Sequence, residues 1–340
     1  MSEPTPQVSI VIPCFDEEQT IPRLFAALDS VVAKLEGAGR STEVLVIDDG
    51  SRDGTFARLK EGAATRPWLR LVRFRRNFGQ TAAMSAGFER ARGAYLVPMD
   101  ADLQNDPDDI PMLLSRLEEG FDIVSGWRKN RQDKAMTRKL PSKIANWLIG
   151  RVTGVRLHDY GCTLKAYRRE VLEPVRLYGE MHRFIPVYAK WSGARITEQV
   201  VRHHPRTEGK SKYGLARTLK VLLDLMTVKF LGDYATKPLY LFGLWGTFFI
   251  AGGLLSGVVT LIEKLRPPYV FAHKNPLLLL AVMLFVVGIQ LIGMGLLAEL
   301  LVRTYHESQS KPVYLVAEEV NGPVEVPPAP RAILPVPRRG

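Results

Sequence analysis

Cysteine is scarce in the 340-residue chain: Cys14 and Cys162 are far apart and form no C-x-x-C pair. A disulfide scaffold is excluded, and the two thiols read as buried side chains in a reducing compartment. Charge is missing in two long stretches. From Pro238 to Ile262 there are 25 residues, and from Pro276 to Ala298 another 23, without Asp, Glu, Lys, Arg or His. A helix needs about 20 apolar residues to cross a hydrocarbon core about 30 Å thick, so either run suffices. Only 13 residues, EKLRPPYVFAHKN, join them. Burial inside a large soluble core is the competing reading, and two such runs back to back argue against it. They predict a transmembrane hairpin with spans at about 238–262 and 276–302. A nucleic-acid module is also lacking, and aromatics do not interleave the basic runs. The polar start MSEPTPQ runs directly into an apolar strand pattern, so no signal peptide is expected.

The composition that remains is ordinary on average and segregated in detail. Hydrophobic residues are 46%, charged residues 24%, and mean hydropathy is −0.02. At about 100–200 residues per domain, the length makes about two domains. The formal net charge of +11 fits an anionic bilayer and phosphate substrates more simply than nucleic acid. Lys210, Lys212, Arg217, Lys220, Lys229 and Lys237 precede the first apolar run. Lys264, Arg266 and Lys274 lie in the connection, and Arg303 and Lys311 follow the second run. This bias places both termini in the cytoplasm. Gly252, Gly253, Ser256 and Gly257 have small-xxx-small spacing, which permits a helix contact such as an oligomer interface, although glycine is common in membrane helices generally. After about Val316 the tail carries six prolines between Pro323 and Pro337 and no apolar periodicity, which predicts disorder.

In the soluble part, Val8–Ile12, Glu43–Ile47, Leu69–Phe74, Ala94–Met99 and Asp122–Ser125 are short apolar, β-rich runs. Helix-patterned stretches at 17–36, 53–64, 79–92 and 107–119 separate them. Such alternation predicts βαβ units and a mostly parallel sheet, with ligands outside the carboxyl ends of the strands. Three of those ends carry PCFDEE (Pro13–Glu18), DDGSRDGT (Asp48–Thr55) and MDADLQNDPDD (Met99–Asp109). Carboxylates crowded on one rim call for a cation or a hydrogen-bonding ligand. Asp100 and Asp102 flank one residue, so in an extended segment both face one way and can share a hard cation, with Gln104 continuing the face. Mg²⁺ or Mn²⁺ fits, its shell completed by water and substrate phosphates. Alone, D-x-D also suits a solvated turn, and DDGS suits a helix N-cap through Ser51 or Asp53. Their joint occurrence, each after an apolar strand, is what points to a site.

VSIVIPCFDEE, VLVIDDGSRDGT, RNFGQTAAMSAGFERARG and MDADLQNDPDD, in this order, resemble the family 2 glycosyltransferases of the GT-A fold. The two apolar runs narrow the resemblance to the polyisoprenyl-phosphate glycosyltransferases, over about residues 7–310. Dolichyl-phosphate mannose synthase and the bacterial undecaprenyl-phosphate glucosyl-, mannosyl- and aminoarabinosyltransferases are of this kind. The expected fold is α/β: a GT-A, Rossmann-like, mostly parallel sheet at 1–212 with interfacial amphipathic helices. A juxtamembrane amphipathic helix follows at 213–237, then the two-helix transmembrane hairpin at 238–303 and a cytoplasmic tail at 304–340.

The resemblance implies roles residue by residue. Pro13, Asp16, Glu18 and Asp49 surround the nucleotide base and ribose, with Asp49 as base or ribose acceptor and Asp48 bracing the loop. Asp100, Asp102 and Gln104 hold Mg²⁺ or Mn²⁺ on the sugar-nucleotide diphosphate. Arg128, in SGWR, contacts phosphate; independently of the resemblance, Arg128, Arg131, Arg138 and Lys139 precede the helix pattern at Leu140–Val152 and are expected to bind the lipid phosphate. Asp159, in HDYGCTLKAYRR, holds the position of a base. HRFIP (His182–Pro186) is a motif of the bacterial branch, and in RTEGKSKYG (Arg206–Gly214) Arg206 and Lys212 close over the diphosphate. Physical chemistry agrees: a metal and cations stabilise a departing diphosphate, and a Gly-rich basic loop can open and close. The acceptor is a phosphate monoester with a second pKa of about 6, so Asp159 would orient it or remove a residual proton.

Two segments read as membrane-docking helices. In Leu140–Val152, Ile144, Leu148 and Val152 recur four apart beside Trp147, flanked by Lys143 and Arg151. In Leu215–Leu231, Leu219, Leu222, Leu223 and Met226 recur at helical spacing with Arg217, Lys220 and Lys229. Either stripe could lie in the headgroup plane or pack on the core. The expected activity is inverting transfer of a sugar from a nucleotide diphosphate to polyisoprenyl (undecaprenyl) phosphate at the cytoplasmic face of the inner membrane. UDP-glucose or a UDP-linked relative is the favoured donor, with GDP-mannose open, and relatives imply a homotetramer. A processive polysaccharide synthase would carry Q-x-x-R-W, which does not occur here. A non-catalytic membrane adaptor would have no need of the D-A-D and basic-loop motifs.

Overall fold

The computed structural model describes residues 5–129, 140–173, 181–191, 193–205, 238–267, 271, 275–308 and 314–321. β1 (Val8–Cys14), β2 (Thr42–Asp48), β3 (Leu69–Phe74) and β4 (Tyr95–Pro98) form the parallel centre of an eight-stranded sheet. Every residue of β2 is buried, as expected of a strand covered on both faces. Alternation divides β1 between two cores. Val8, Ile10 and Ile12 face α1 (Ile21–Gly37), α2 (Thr55–Ala63) and α4 (Ile110–Glu118), while Val11 faces α3 (Gln80–Arg90). Helix α1 buries Ile21, Leu24, Phe25, Leu28, Val31, Val32 and Leu35, a stripe at helical period.

The strand order is β7-β5-β6-β4-β1-β2-β3-β8. β5 (Ile123–Trp127) and β7 (Ile196–Val200) are parallel, whereas β6 (Lys165–Arg168) runs antiparallel to both β4 and β5. The parallel expectation therefore describes the centre, and the sheet as a whole is mixed. β8 (Val316–Val320) lies antiparallel on the outer edge of β3, where the tail was expected to be disordered. Lys60 pairs with Glu318 at 2.6 Å, Arg90 with Glu319 at 2.8 Å, and Asn321 donates to the carbonyls of Ala63 and Leu69. An open strand edge supplies the ladder that five residues without their own periodicity need. The proline-rich stretch from 322 on lies outside the described residues.

Helix α5 (Leu140–Thr153) buries Ile149 and packs Val152 against Val155, Leu157, Tyr160, Phe184 and Val187, while Trp147 is exposed. One side of it thus belongs to a small core. The second docking segment, Leu215–Leu231, lies outside the described residues. α6 (Arg169–Leu172) and α7 (Ile185–Trp191) complete the soluble layer.

The two apolar runs form helices at Pro238–Leu265 and Pro276–Ser308. Their most apolar windows are only 22% and 11% buried, leaving Leu244, Trp245, Phe248, Leu279 and Leu297 facing outward, as a lipid-facing pair would. The helices meet at glycine. A Cβ on Gly246 would lie 2.7 Å from the Gly288 carbonyl oxygen, and one on Gly288 would lie 2.6 Å from that of Gly246. Further along, the Ser256 hydroxyl donates to the Leu277 carbonyl at 2.9 Å, and a Cβ on Gly253 would meet the Ala281 carbonyl oxygen. Gly253 and Ser256, read from spacing as suited to an oligomer contact, thus serve contact within the hairpin.

Candidate active site

The site is built from the loops at the carboxyl edge of the sheet. The loop after β1 is stitched to the one after β2. Asp16, at φ 51°, donates its amide to Ser51 Oγ at 3.0 Å and accepts from the Arg52 amide at 2.8 Å. The Glu17 amide donates to Thr55 Oγ1, and the Gly54 amide donates to Glu18, whose carboxylate also faces Arg58 at 3.6 Å. Ser51 therefore bridges two loops rather than capping α2. Pro13 sits within β1, half-buried, one residue before the strand ends.

Asp48 and Asp49 diverge. Asp48 is fully buried, accepts from the Ser51 amide at 3.0 Å and lies 3.3 Å from Arg73 Nε, so it braces the turn. Asp49 accepts from the amides of Phe78 at 2.7 Å and Gly79 at 2.9 Å. Burial raises its pKa to about 6, partly opposed by those two amides. Gly79 has φ 96°, a conformation that disfavours side-chain-bearing residues, and it immediately precedes α3. The next residue, Gln80, donates from Nε2 to Asp100 Oδ1 at 2.8 Å, and Thr163 donates to Asp100 Oδ2 at 2.7 Å. Phe78, Gly79 and Gln80 thus tie the end of β2 to the end of β4.

Asp100 and Asp102 follow β4, with Leu103 at φ 55° and the Gln104 amide donating to Asp102 Oδ1 at 3.1 Å. Among the described residues no group of three or more His, Cys, Asp and Glu side chains forms a cation site. The donors present are hard oxygens, two carboxylates and the Gln104 amide, with each Asp100 oxygen engaged by one side-chain donor and able to accept more. Such a set fits Mg²⁺ or Mn²⁺, which keep water and substrate phosphate in most of the shell. It does not fit an all-protein cage.

On the other side of the rim, Arg128 grips Asp159 with two bonds, Nε to Oδ2 at 2.7 Å and Nη2 to Oδ1 at 3.0 Å. The Gly161 amide adds a third at 3.1 Å. Behind this pair, buried Lys165 donates to the carbonyls of Tyr160 and Cys162, and burial lowers its pKa. Burial pushes the Cys162 thiol up to about 11, so it stays protonated in the core. His182 is buried, pairs with Thr81 Oγ1 at 2.7 Å, and burial holds its pKa well below the usual value, leaving it neutral.

The chain after β7 leads back to the acidic loop. Asn105 forms a bridge with His203, the His204 amide donates to the Gln104 carbonyl at 2.9 Å, and Arg202 pairs with Asp106 at 3.0 Å and Asp109 at 2.9 Å. Residues 206–214 begin just beyond this anchor; Arg206 and Lys212 lie outside the described residues, as do Arg131 and Arg138.

Of the expected residues, the contacts of Asp16 and Glu18 run to the 51–58 segment, and Asp49 and Asp100 are joined through the 78–80 segment. Arg128 and Asp159, expected as separate phosphate and base positions, form one unit. Gln80, Thr163 and the Thr81–His182 pair were not singled out from sequence. The RNFGQT string did carry a signal, a glycine followed by two polar residues at a helix start.

Residues 9–176 match the profile described as Glycosyl transferase family 2. The dodecaprenyl-phosphate galacturonate synthase of Rhizobium johnstonii is 42% identical over 323 residues, covering 92% of both chains. The undecaprenyl-phosphate 4-deoxy-4-formamido-L-arabinose transferase of Pseudomonas paraeruginosa is 38% identical over 319 residues, covering 93% of this chain and 91% of its own. Among solved structures, a mannosyltransferase from Pyrobaculum calidifontis in complex with GDP-Man and Mn²⁺ aligns with a TM-score of 0.48 at 17% identity, over 91% of this chain and 77% of its own.

Proposed function

The chain belongs to glycosyl transferase family 2, among the polyprenyl-phosphate glycosyltransferases, and on that footing we propose that it transfers one sugar from a nucleoside-diphosphate donor to a polyisoprenyl phosphate. The observation that supports this is the coupling of Asp49 to Asp100 through Phe78, Gly79 and Gln80; in the proposed roles, the nucleoside acceptor and the diphosphate–metal ligand share that support. A phosphate oxygen of the acceptor attacks the anomeric carbon, the bond to the diphosphate breaks on the opposite face, and the nucleoside diphosphate departs. The configuration is inverted. Asp100, Asp102 and Gln104 would hold Mg²⁺ or Mn²⁺, which when bound offsets charge on the leaving diphosphate.

The chain's own groups do the rest. Asp49, together with Pro13, Asp16 and Glu18, receives base and ribose. Arg128 faces acceptor phosphate, and Asp159 fixes its guanidinium plane. In this reading Arg131 and Arg138 also bind acceptor phosphate, and Arg206 and Lys212 bind the diphosphate. The membrane is the inner, cytoplasmic one, with the catalytic part in the cytoplasm, and the assembly is a homotetramer by resemblance. For the donor, a UDP-linked sugar fits best. Because two relatives are named for galacturonate and 4-deoxy-4-formamido-L-arabinose, we count those sugars with glucose as candidates. Purified full-length protein with Mn²⁺ should be melted with a panel of UDP- and GDP-sugars. One donor should raise the midpoint selectively; a flat response across the panel would remove the reading.

A further inference from the structure

The chain returns from the second apolar helix to the sheet, and the return ends at the nucleotide rim. Five residues, 309–313, separate Ser308, the last of that helix, from Tyr314. At about 3.5 Å per residue, no more than about 21 Å of backbone can lie between them. Tyr314 is 7% exposed, and its ring stacks on Phe74, the last residue of β3, with centroids 4.8 Å apart and planes at 16°. Phe74 in turn meets the edge of Phe78 at 5.7 Å. The Tyr314 hydroxyl accepts from Arg90 at 2.6 Å and donates to Glu89, both at the far end of α3. The Arg75 amide donates to the Leu315 carbonyl at 3.0 Å, so tail pairing runs one residue past β3 into the loop.

Tyr314 therefore touches α3 at its C-terminal end and, through Phe74 and Phe78, the loop that starts it. That loop offers the Phe78 and Gly79 amides to Asp49 and Gln80 to Asp100. We propose that Tyr314, which follows the second apolar helix in the chain, is a positioning residue for the nucleotide and metal groups at 78–80, acting through the Phe74–Phe78 ring contacts. The assignment of Asp49 and Asp100 to donor binding rests on the function proposed above; the support of residues 78–80 by Tyr314 does not.

The test uses the full chain in detergent with three variants. Tyr314→Phe keeps the ring stack, Tyr314→Leu keeps apolar bulk without it, and Tyr314→Ala removes both. Hydrogen exchange over residues 75–80 without ligand should accelerate about 3- to 10-fold in the Leu and Ala variants, as loss of aromatic contacts implies, and stay near wild type in the Phe variant. Affinity for UDP with Mn²⁺ should weaken in the same order, while melting of the free Phe and Leu variants remains cooperative. Unchanged exchange at 75–80 in the Leu variant overturns the proposal. So does a failure of both the Leu and Ala variants to fold, which would make Tyr314 a purely structural core residue. If exchange responds as expected but the wild type binds neither UDP nor GDP with Mn²⁺, the positioning of residues 78–80 by Tyr314 stands and the donor-site reading falls.

Discussion

Arg128 and Asp159 form a two-bond fork, at 2.7 and 3.0 Å, with side chains 10% and 4% exposed. Both carboxylate oxygens are engaged, one of them also by the Gly161 amide. That arrangement suits holding a guanidinium plane and leaves the proton problem to the acceptor, whose second phosphate ionisation lies near about pH 6. Asp159→Asn is expected to lower kcat/KM for the lipid acceptor about 10- to 100-fold, the value of hydrogen bonds to a charged group. The acid limb of the pH profile should keep its position. Steady-state rates of both proteins across the neutral range check this, and a moved limb would restore Asp159 as a base.

Gln80 reaches Asp100 from a different element, so its removal should act on the metal rather than on the nucleoside. Partners behind a metal ligand are typically worth about 10- to 100-fold in metal affinity or activity. Gln80→Ala should raise the Mn²⁺ concentration for half-maximal activity by that order, with maximal rate partly recovered at saturating metal. A metal titration of activity measures it.

The proposed role of Asp49 makes donor binding depend on pH. Its pKa of about 6 means that the carboxylate takes up a proton as pH falls through that value and loses acceptor capacity. Nucleotide-sugar affinity should therefore decline below about pH 6. A nucleotide sugar has no phosphate titrating there, so calorimetry with the intact donor on wild type and Asp49→Asn isolates the residue. Stability carries the opposite sign. The folded value lies above the roughly 3.9 of a free aspartate, so the contribution of Asp49 is fullest below that value and is lost as pH rises through about 6.

The hairpin closes where Gly246 meets Gly288. Gly288→Ala places a methyl group 2.6 Å from the Gly246 carbonyl oxygen, while Gly293 has open space around its Cβ position. Overpacking of this kind costs about 1–3 kcal/mol. Gly288→Ala should lower the melting midpoint in detergent, and Gly293→Ala should leave it nearly unchanged.

Much of this architecture is legible in the sequence. β1 to β5 fall within two residues of their apolar runs, because a strand buried on both faces must be apolar along its length. Both apolar helices were visible from length and missing charge alone. β8 was not, since VAEEV gains strand structure only from the open edge of β3. The carboxylates of the rim announced themselves, while their geometry stayed hidden. That Asp49 turns to the 78–79 amides, that Gln80 rather than a carboxylate steadies Asp100, and that Arg128 binds Asp159 are tertiary facts between residues 20 to 31 positions apart. Gly253 and Ser256 show the same limit: spacing marks a close contact and not which helix makes it.

The most direct test of the account is product formation. Purified full-length protein, undecaprenyl phosphate, Mn²⁺ and the donor selected by thermal stabilisation should give an organic-extractable glycosyl phosphate lipid, seen by mass spectrometry. Asp102→Ala at the same metal concentration should abolish nearly all of it. No lipid product from wild type with any UDP- or GDP-sugar, or equal product from Asp102→Ala, would contradict the account.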